Sequence, residues 1–200
     1  MSGCCQHSML IRGELMSDTK AKLDEIRRMM NSSEVIEGFG LSNEENIHIY
    51  GYHPEDEQIV RHFVKKLKES KQLNCNLKVF DLYEIFLTLC EKKKIMKVIP
   101  KLEEKKGSQG LFREIQKFAT VDAFIAEMKY EPHGEKDVIL ITGIGSAFPF
   151  MRIHKLLNAI QPYFSNMPIF VLYPGEYDGH ELRLFNCLKA NPYYRAFNIK

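Results

Sequence analysis

Two segments near the C-terminus of this chain collect the residue types that bind ligands or carry out chemistry. In the first segment, Gly143 and Gly145 follow a short apolar run that is typical of a buried strand. Two glycines at a strand end let an anion or another backbone approach closely, and a helix that starts there offers free backbone N–H groups. The pair is a candidate binding loop, or else only a tight crossing from strand to helix. A dinucleotide fingerprint is incomplete, because Phe148 replaces its third glycine.

Arg152 and His154 come next, in the helix predicted after this loop. Arg152 could reach the loop and bind an anion, or it could lie on a solvated helix face. His154 could act as a general acid, or as a surface or structural histidine. Since both flank the apolar Ile153, we expect them to diverge rather than point into one pocket. The sequence contains neither a P-loop nor a G-x-S-x-G motif, so we predict no catalytic residue.

The second segment is a loop rich in tyrosine, glycine and charged residues. Tyr173 ends an apolar run, and Tyr177 should project from the sheet edge after a proline and a glycine. Exposed tyrosines of this kind are typical of hot spots in protein interfaces. Asp178 could act as a base or metal ligand, but it also fits the N-cap of a following helix, with Glu181 three residues later. Arg183, on that predicted helix, is a further candidate for binding.

These segments must be positioned by the elements around them. Short apolar runs alternate with amphipathic helices, which predicts an α/β fold with a mostly parallel sheet of about five strands flanked by helices. We expect a single domain over residues 1–200, with residues 1–17 flexible. The predicted strands cover residues 47–52, 77–80, 138–142, 169–173 and 196–199.

Two helical stretches complete the predicted fold. The first is a helical insertion near residues 91–130, whose part from 91 to 106 holds seven lysines and three glutamates. Those lysines could bind nucleic-acid phosphates, or they could form an ordinary solvated helix face. The second is the helix after Asp178, whose inner face would consist of Leu182, Phe185 and Leu188.

Composition and charge narrow the classes of function. The net charge of +2 gives no general attraction for nucleic acid or for an anionic membrane. The five cysteines form no C-x-x-C pair, which favours a reducing cytoplasm. Cys4 and Cys5 lie beside His7 but supply too few spaced ligands, so we predict no metal and no cofactor. We also find no signal peptide and no apolar run long enough to span a bilayer.

Three of these stretches together resemble the BrxB family of bacteriophage-exclusion (BREX) defence systems. They read F-P-F-x-R-x-H followed by L-L-N-x-I-Q in Phe148–Gln161, Y-P-G-x-Y-D-G-x-x-L-R-L-F in Tyr173–Phe185, and N-x-Y-Y-R-A-F in Asn191–Phe197. A weaker match runs through residues 40–57. The resemblance implies a bacterial cytoplasmic protein that works beside other BREX proteins, including a PglZ-type alkaline-phosphatase-like protein, a methyltransferase and an ATPase. It implies no established catalytic activity for this subunit.

Three hypotheses of function follow. The leading one is a non-enzymatic assembly subunit whose sheet-edge loops dock a partner, with the PglZ-type protein as the expected partner. The alternative is an enzyme or nucleotide sensor at the same edge, with Arg152, His154, Asp178 and Arg183 as its polar groups. The third is a nucleic-acid accessory that uses residues 92–106, although the near-neutral charge of the chain counts against direct binding.

Overall fold

A seven-stranded sheet forms the centre of the protein, with helices packed on both of its faces. The computed structural model describes residues 18–36, 46–164, 167–193 and 195–199. Its strands are β1 (Ile47–Tyr52), β2 (Asn76–Asp81), β3 (Asp137–Thr142), β4 (Ile169–Tyr177), β5 (Glu181–Leu184), β6 (Asn191–Pro192) and β7 (Phe197–Asn198). Its helices are α1 (18–30), α2 (Ser33–Ile36), α3 (Glu57–Glu69), α4 (Leu82–Lys92), α5 (Ile99–Gln116), α6 (Val121–Met128), α7 (Ile144–Ala147) and α8 (Ile153–Ile160). Residues 1–17, including Cys4, Cys5 and His7, lie outside the described part.

Five strands are parallel and lie in the order β2-β3-β4-β1-β7. All six residues of β3 are buried, as expected for an uninterrupted apolar run in the interior of a parallel sheet. β1 pairs with β4 along its whole length, from Ile47 opposite Ile169 to Tyr52 opposite Pro174. The prediction of a mostly parallel sheet flanked by helices is confirmed, and the expected short strand near the C-terminus is β7.

Alternation along the strands divides the core into two layers. In β1, Ile47 and Ile49 face the layer formed with α4, α6, α7 and α8, whereas Tyr50 and Tyr52 face the layer formed with α1 and α3. Successive side chains of a strand point to opposite faces, so one strand contributes to both cores. Because β1 leads into α3 while β3 leads into α7, these two strands send the chain to opposite faces of the sheet.

Residues 91–130 are largely helical, as predicted. Gly107, with φ 68° and ψ 169°, kinks α5, and Ile115 is the buried residue of that helix. Glu114, in the second half of α5, forms ion pairs with Lys106 before the kink and with Lys117 at the C-cap. α6 packs against both α4 and α8, so it belongs to the helical layer on that face. Within the described ranges, no helix is long and apolar enough to cross a membrane.

The helix expected after Asp178 is wrong, because a β-hairpin occupies its place. β4 runs on past Tyr173 to Tyr177, and β5 pairs with it in the antiparallel sense, with Gly175 opposite Leu184. The side chains of β5 alternate strictly: Leu182 and Leu184 are buried, while the two residues at odd positions are exposed. Pairing with the end of β4 therefore outweighs the local capping pattern that favoured a helix.

Two glycines permit this hairpin. A Cβ atom on Gly51 of β1 would lie 2.6 Å from the carbonyl oxygen of Gly175, so any side chain there would collide with the backbone of β4. Gly175 itself has φ 153°, and a Cβ on it would lie 2.2 Å from the carbonyl oxygen of Arg183. The end of β4 thus crosses closely over β1, and the buried hairpin residues pack in the same core layer as α7 and α8.

His48 is a buried polar residue in the middle of β1. Its ring stacks between Phe170 and Phe197, with centroids 4.9 and 5.3 Å away. Its Nε2 atom lies 2.8 Å from Oδ1 of Asn46, and its Nδ1 atom has no hydrogen-bond partner among the described residues. Burial lowers the pKa of His48 from 6.5 to about 4, so the ring is neutral in the folded protein at pH 7.

This histidine should make the protein less stable in mild acid. Its pKa is lower in the folded state, so the unfolded chain binds the extra proton as the pH falls below 6.5. Between pH 7 and pH 5 the free energy of unfolding should fall by about 2 kcal/mol. Urea unfolding of the wild type and of His48→Phe measures this loss. The variant should lose clearly less, and equal losses in both proteins would contradict the assignment.

Candidate functional site

A cleft of about 210 Å³ lies between the α7–α8 segment and the β4–β5 hairpin. Tyr173 contributes to its wall from β4, and Leu182 and Leu184 contribute from β5. It lies at the carboxyl ends of the parallel strands, the edge where open α/β sheets place their sites. The lining consists of Ile144, Phe148, Met151, Arg152, Ile153, His154, Tyr173, Leu182, Leu184, Leu188, Lys189 and Asn191.

The cleft brings together three of the eight candidate site residues, namely Arg152, His154 and Tyr173. The other five do not line it: Gly143, Gly145, Tyr177, Asp178 and Arg183. Each of those five has a structural environment of its own, as described below.

Gly143 is required for a close contact inside the protein. Its φ of 72° lies in the left-handed region, and a Cβ on it would lie 2.0 Å from Oδ1 of Asp81. That carboxylate caps α4 by accepting hydrogen bonds from the backbone N–H groups of Tyr83 (2.9 Å) and Glu84 (3.2 Å). A carboxylate in this position opposes the binding of a phosphate beside Gly143.

Gly145 also serves packing. A Cβ on it would lie 2.9 Å from the ring of Phe185 and 3.1 Å from the ring of Pro174. The glycine therefore lets α7 lie directly against the hairpin. Of the two readings of the Gly143–Gly145 pair, the structure supports a tight crossing from strand to helix.

Arg152 and His154 line the same cleft, so the expectation that they diverge is wrong. The reason is that Arg152 is not inside the helix: it is the N-cap of α8, with extended backbone at φ −111° and ψ 122°. Its exposed guanidinium group lies 5.7 Å from the centre of the Phe148 ring. Burial lowers the pKa of His154, and the positive charges of Arg152 and Lys155 lower it further, so His154 is neutral at pH 7.

Tyr173 and Tyr177 are both buried residues of β4. Tyr173 is 2% exposed, and burial raises the pKa of its hydroxyl group. Tyr177 is 5% exposed, and its hydroxyl donates to the backbone oxygens of Ala196 at 3.0 Å and Gly179 at 3.2 Å. The expectation that Tyr177 projects from the sheet edge is therefore wrong, because its side chain ties the hairpin to the segment before β7.

Asp178 caps the turn of the hairpin rather than a helix. Its Oδ1 accepts hydrogen bonds from the backbone N–H groups of His180 (2.8 Å) and Glu181 (2.7 Å), and these bonds lower the pKa of the exposed carboxyl group. Arg183 pairs in register with Glu176 on β4 and is exposed on the side of β5 away from the buried leucines. Neither charged group contributes to the cleft.

One polar contact at this edge of the sheet was not predicted from the sequence. Arg61 of α3 donates to Oγ of Ser146 on α7 at 3.0 Å and to Glu57 at 2.7 Å, while the hydroxyl of Tyr52 donates to the same glutamate. The contact joins helices that cover opposite faces of the sheet. No motif signals it, since Arg61 and Ser146 are 85 residues apart.

The hairpin leucines that line the cleft were assigned to a helix from the sequence. The alternation Glu181-Leu182-Arg183-Leu184 was the available signal for a strand, but it covers only four residues. Asn191 and Lys189, which complete the rim, carry no signal of their own. Within the described ranges, no group of three His, Cys, Asp or Glu residues could hold a metal ion.

A protein-family model matches the part of the chain that contains this edge of the sheet. The model described as "BREX protein BrxB" matches residues 78–199, which include α7, α8, the hairpin and every residue that lines the cleft. The chain belongs to the BrxB family. Membership in a BREX system implies that other BREX proteins are its partners.

Two curated BrxB proteins are similar to this chain over most of their length. One, from Bacillus cereus (strain H3081.97), is 32% identical over 183 residues, which covers 89% of this chain and 95% of the relative. The other, from Escherichia coli O9:H4 (strain HS), is 26% identical over 183 residues, which covers 89% and 90% of the two chains. Both are described as "BREX protein BrxB". No solved structure matches the chain.

The contact between Gly143 and Asp81 should appear as coupled stability. Gly143→Ala should destabilise the protein by about 3 kcal/mol, from left-handed backbone strain and a displaced α4 cap. Gly107→Ala, at φ 68° and ψ 169° and with no atom within 4 Å of the added Cβ, should show the cost of positive-φ strain without a displaced cap, although in a different backbone region from Gly143. Asp81→Ala should cost about 1 kcal/mol, and the double variant should cost at least about 1 kcal/mol less than the sum. Urea unfolding measures all four, and strict additivity would contradict the contact.

Tyr177→Ala should lower stability rather than only change the surface. Loss of the buried ring should cost about 3–5 kcal/mol, and Tyr177→Phe about 1 kcal/mol for the lost hydrogen bonds. Tyr83, which is 40% exposed, is the matched control, and Tyr83→Ala should cost about 1 kcal/mol or less. Thermal melting compares the three variants. Wild-type stability of Tyr177→Ala would show that the tyrosine is not part of the core.

Proposed function

We propose that this BrxB-family chain is a non-enzymatic assembly subunit of a BREX anti-phage complex and that it binds the PglZ-type protein of that system. The observation that supports the proposal most is which residues lie at the carboxyl-terminal edge of the sheet. Segments that resemble the family, Phe148–Gln161 and Tyr173–Phe185, meet there around one cleft, but its polar groups form no nucleophile–base or paired-carboxylate arrangement.

The makeup of the cleft argues against the enzymatic alternative. An enzyme at this edge would use Arg152, His154, Asp178 and Arg183, but only the first two line the cleft. Asp178 accepts hydrogen bonds from the hairpin turn, and Arg183 is opposite Glu176. The carboxylate that lies near the glycine loop, Asp81, is engaged in capping α4. These groups are better accounted for by the fold than by a reaction.

The rim of the cleft supports docking of a protein. Arg152 and Lys189 are exposed at its rim, whereas most of its wall consists of buried leucine, isoleucine, methionine and tyrosine side chains. An apolar centre with a charged rim is the usual anatomy of a protein interface. Cations at the rim steer an acidic partner surface and contribute more to the rate and specificity of association than to affinity.

A binding experiment with purified components tests the proposal. The chain and the PglZ-type protein encoded in the same BREX system should form a complex on size exclusion, with a dissociation constant that calorimetry can measure. The isolated chain should not hydrolyse ATP, because it lacks the lysine and hydroxyl of a P-loop. A folded chain that does not bind the PglZ-type protein would contradict the docking role. ATP turnover that is lost in Arg152→Ala would favour the enzymatic alternative.

A further inference from the structure

The cleft has the size of a site for one side chain. Its volume of about 210 Å³ is below the range of about 300–1,000 Å³ that is usual for small-molecule and cofactor pockets. Ile144, Leu182 and Leu184, all at most 8% exposed, give it an apolar wall. A single aliphatic or aromatic group from a partner would fill such a space, as anchor residues do at the centres of interfaces.

The charged residues that line the cleft are all positive. Arg152 and Lys189 are the charged residues of its lining, and none of the twelve lining residues is an aspartate or glutamate. Arg152 forms no ion pair with any described acidic residue, and its contact is with the ring of Phe148. The neutral His154 neither adds to nor cancels this charge at pH 7. The cleft therefore complements an anion.

The start of α8 strengthens this preference. Arg152, Ile153 and His154 are the N-cap and the first two residues of that helix, and all three line the cleft. The side chain of Arg152 makes no capping hydrogen bond to this helix. The backbone N–H groups of a first helical turn and the positive end of the helix dipole both favour a carboxylate there.

We propose that the cleft binds an apolar side chain of the partner that has a carboxylate next to it. This inference rests on the proposed function, since it specifies how the PglZ-type protein is recognised. The apolar group lies between Ile144 and the two hairpin leucines, and the carboxylate lies on the guanidinium group of Arg152 at the start of α8. The partner segment is thus an acidic peptide stretch with one aliphatic or aromatic anchor.

A pair of small probes tests the chemistry of the cleft without the partner. 3-Phenylpropionate carries a ring and a carboxylate, and 3-phenylpropylamine carries the same ring and chain with a positive charge. In NMR titrations of the ¹⁵N-labelled chain, the carboxylate should give saturable shifts at the amides of residues 148–154 and 182–189. The amine should bind at least about tenfold more weakly. Equal binding, shifts elsewhere or no saturable shift with the carboxylate would overturn the inference.

Variants with a matched control identify the contacts. Arg152→Ala should weaken binding of the carboxylate about tenfold and should not weaken binding of the amine, because it removes an attraction for the anion and a repulsion of the cation. Leu188→Trp should block both probes by filling the cleft from its half-buried rim. Arg183→Ala is the control, since this arginine lies on the same hairpin but not in the cleft. It should bind both probes as the wild type does, and circular dichroism should show that all three variants are folded.

The partner experiment separates failure of the inference from failure of the proposed function. Arg152→Glu and Leu188→Trp should each weaken the complex with the PglZ-type protein at least about tenfold, whereas Arg183→Glu should not. If the wild type and both cleft variants bind the partner equally, the cleft inference is wrong and the docking role stands. If the wild type binds 3-phenylpropionate in the cleft but does not bind the partner, the docking role fails and the cleft chemistry stands.

Discussion

The close crossing of β4 over the end of β1 is the constraint on which the rest of this structure depends. β4 pairs in parallel with β1 and β3 through its first half and in the antiparallel sense with β5 through its second half. The two halves are compatible only because Gly51 and Gly175 have no side chain at the crossing. A strand shared in this way fixes the hairpin against α7 and so creates the cleft between them. The cleft is thus a consequence of backbone packing. Its polar residues are brought together because the crossing fixes the hairpin against α7.

The sequence predicted the five parallel strands and missed the two antiparallel ones, β5 and β6. The apolar run over residues 138–141 of β3 consists of three β-branched residues and one leucine, all of them buried, and it is too short for a helix. β5 offered only four alternating residues, beside an aspartate and glutamate spaced like a helix cap. The structure uses that aspartate for a turn instead. Whether this segment forms a helix or a strand is decided by the unpaired edge at the end of β4. That edge exists only once the sheet has formed.

The candidate site was predictable in place but not in composition. The carboxyl ends of β3 and β4 are where the glycine, tyrosine and arginine residues gather, and the cleft is there. Which of these residues meet in the cleft depends on where α8 begins and where β4 ends, and the hydrophobic periodicity of the sequence does not give those boundaries. Arg152 enters the cleft because α8 begins only at Ile153, so that Arg152 is its N-cap and not a residue within the helix. Tyr177 is excluded because β4 continues through it. For Gly143 the sequence left open both an approach for a ligand and a tight crossing, and the carboxylate of Asp81 occupies the space beside it.

The fold alone does not explain why an arginine occupies the N-cap position of α8. Serine, threonine, aspartate or asparagine at an N-cap stabilises a helix by about 1 kcal/mol relative to a residue that makes no capping bond, and Arg152 makes none. Its positive charge also opposes the helix dipole, at a further cost of about 0.3–1 kcal/mol. Among helices α3 to α7, aspartate and threonine side chains cap α4 and α6, whereas α3, α5 and α7 also begin without a side-chain capping bond. What distinguishes α8 from these helices is the positive charge of its N-cap residue. Departures from local rules concentrate at functional sites, because stability there is given up for binding. A carboxylate from another protein would reverse both unfavourable terms at once, by accepting from the free N–H groups and by neutralising the arginine. The uncapped start of α8 and the positive charge of Arg152 are thus the two features that the proposed carboxylate would satisfy together.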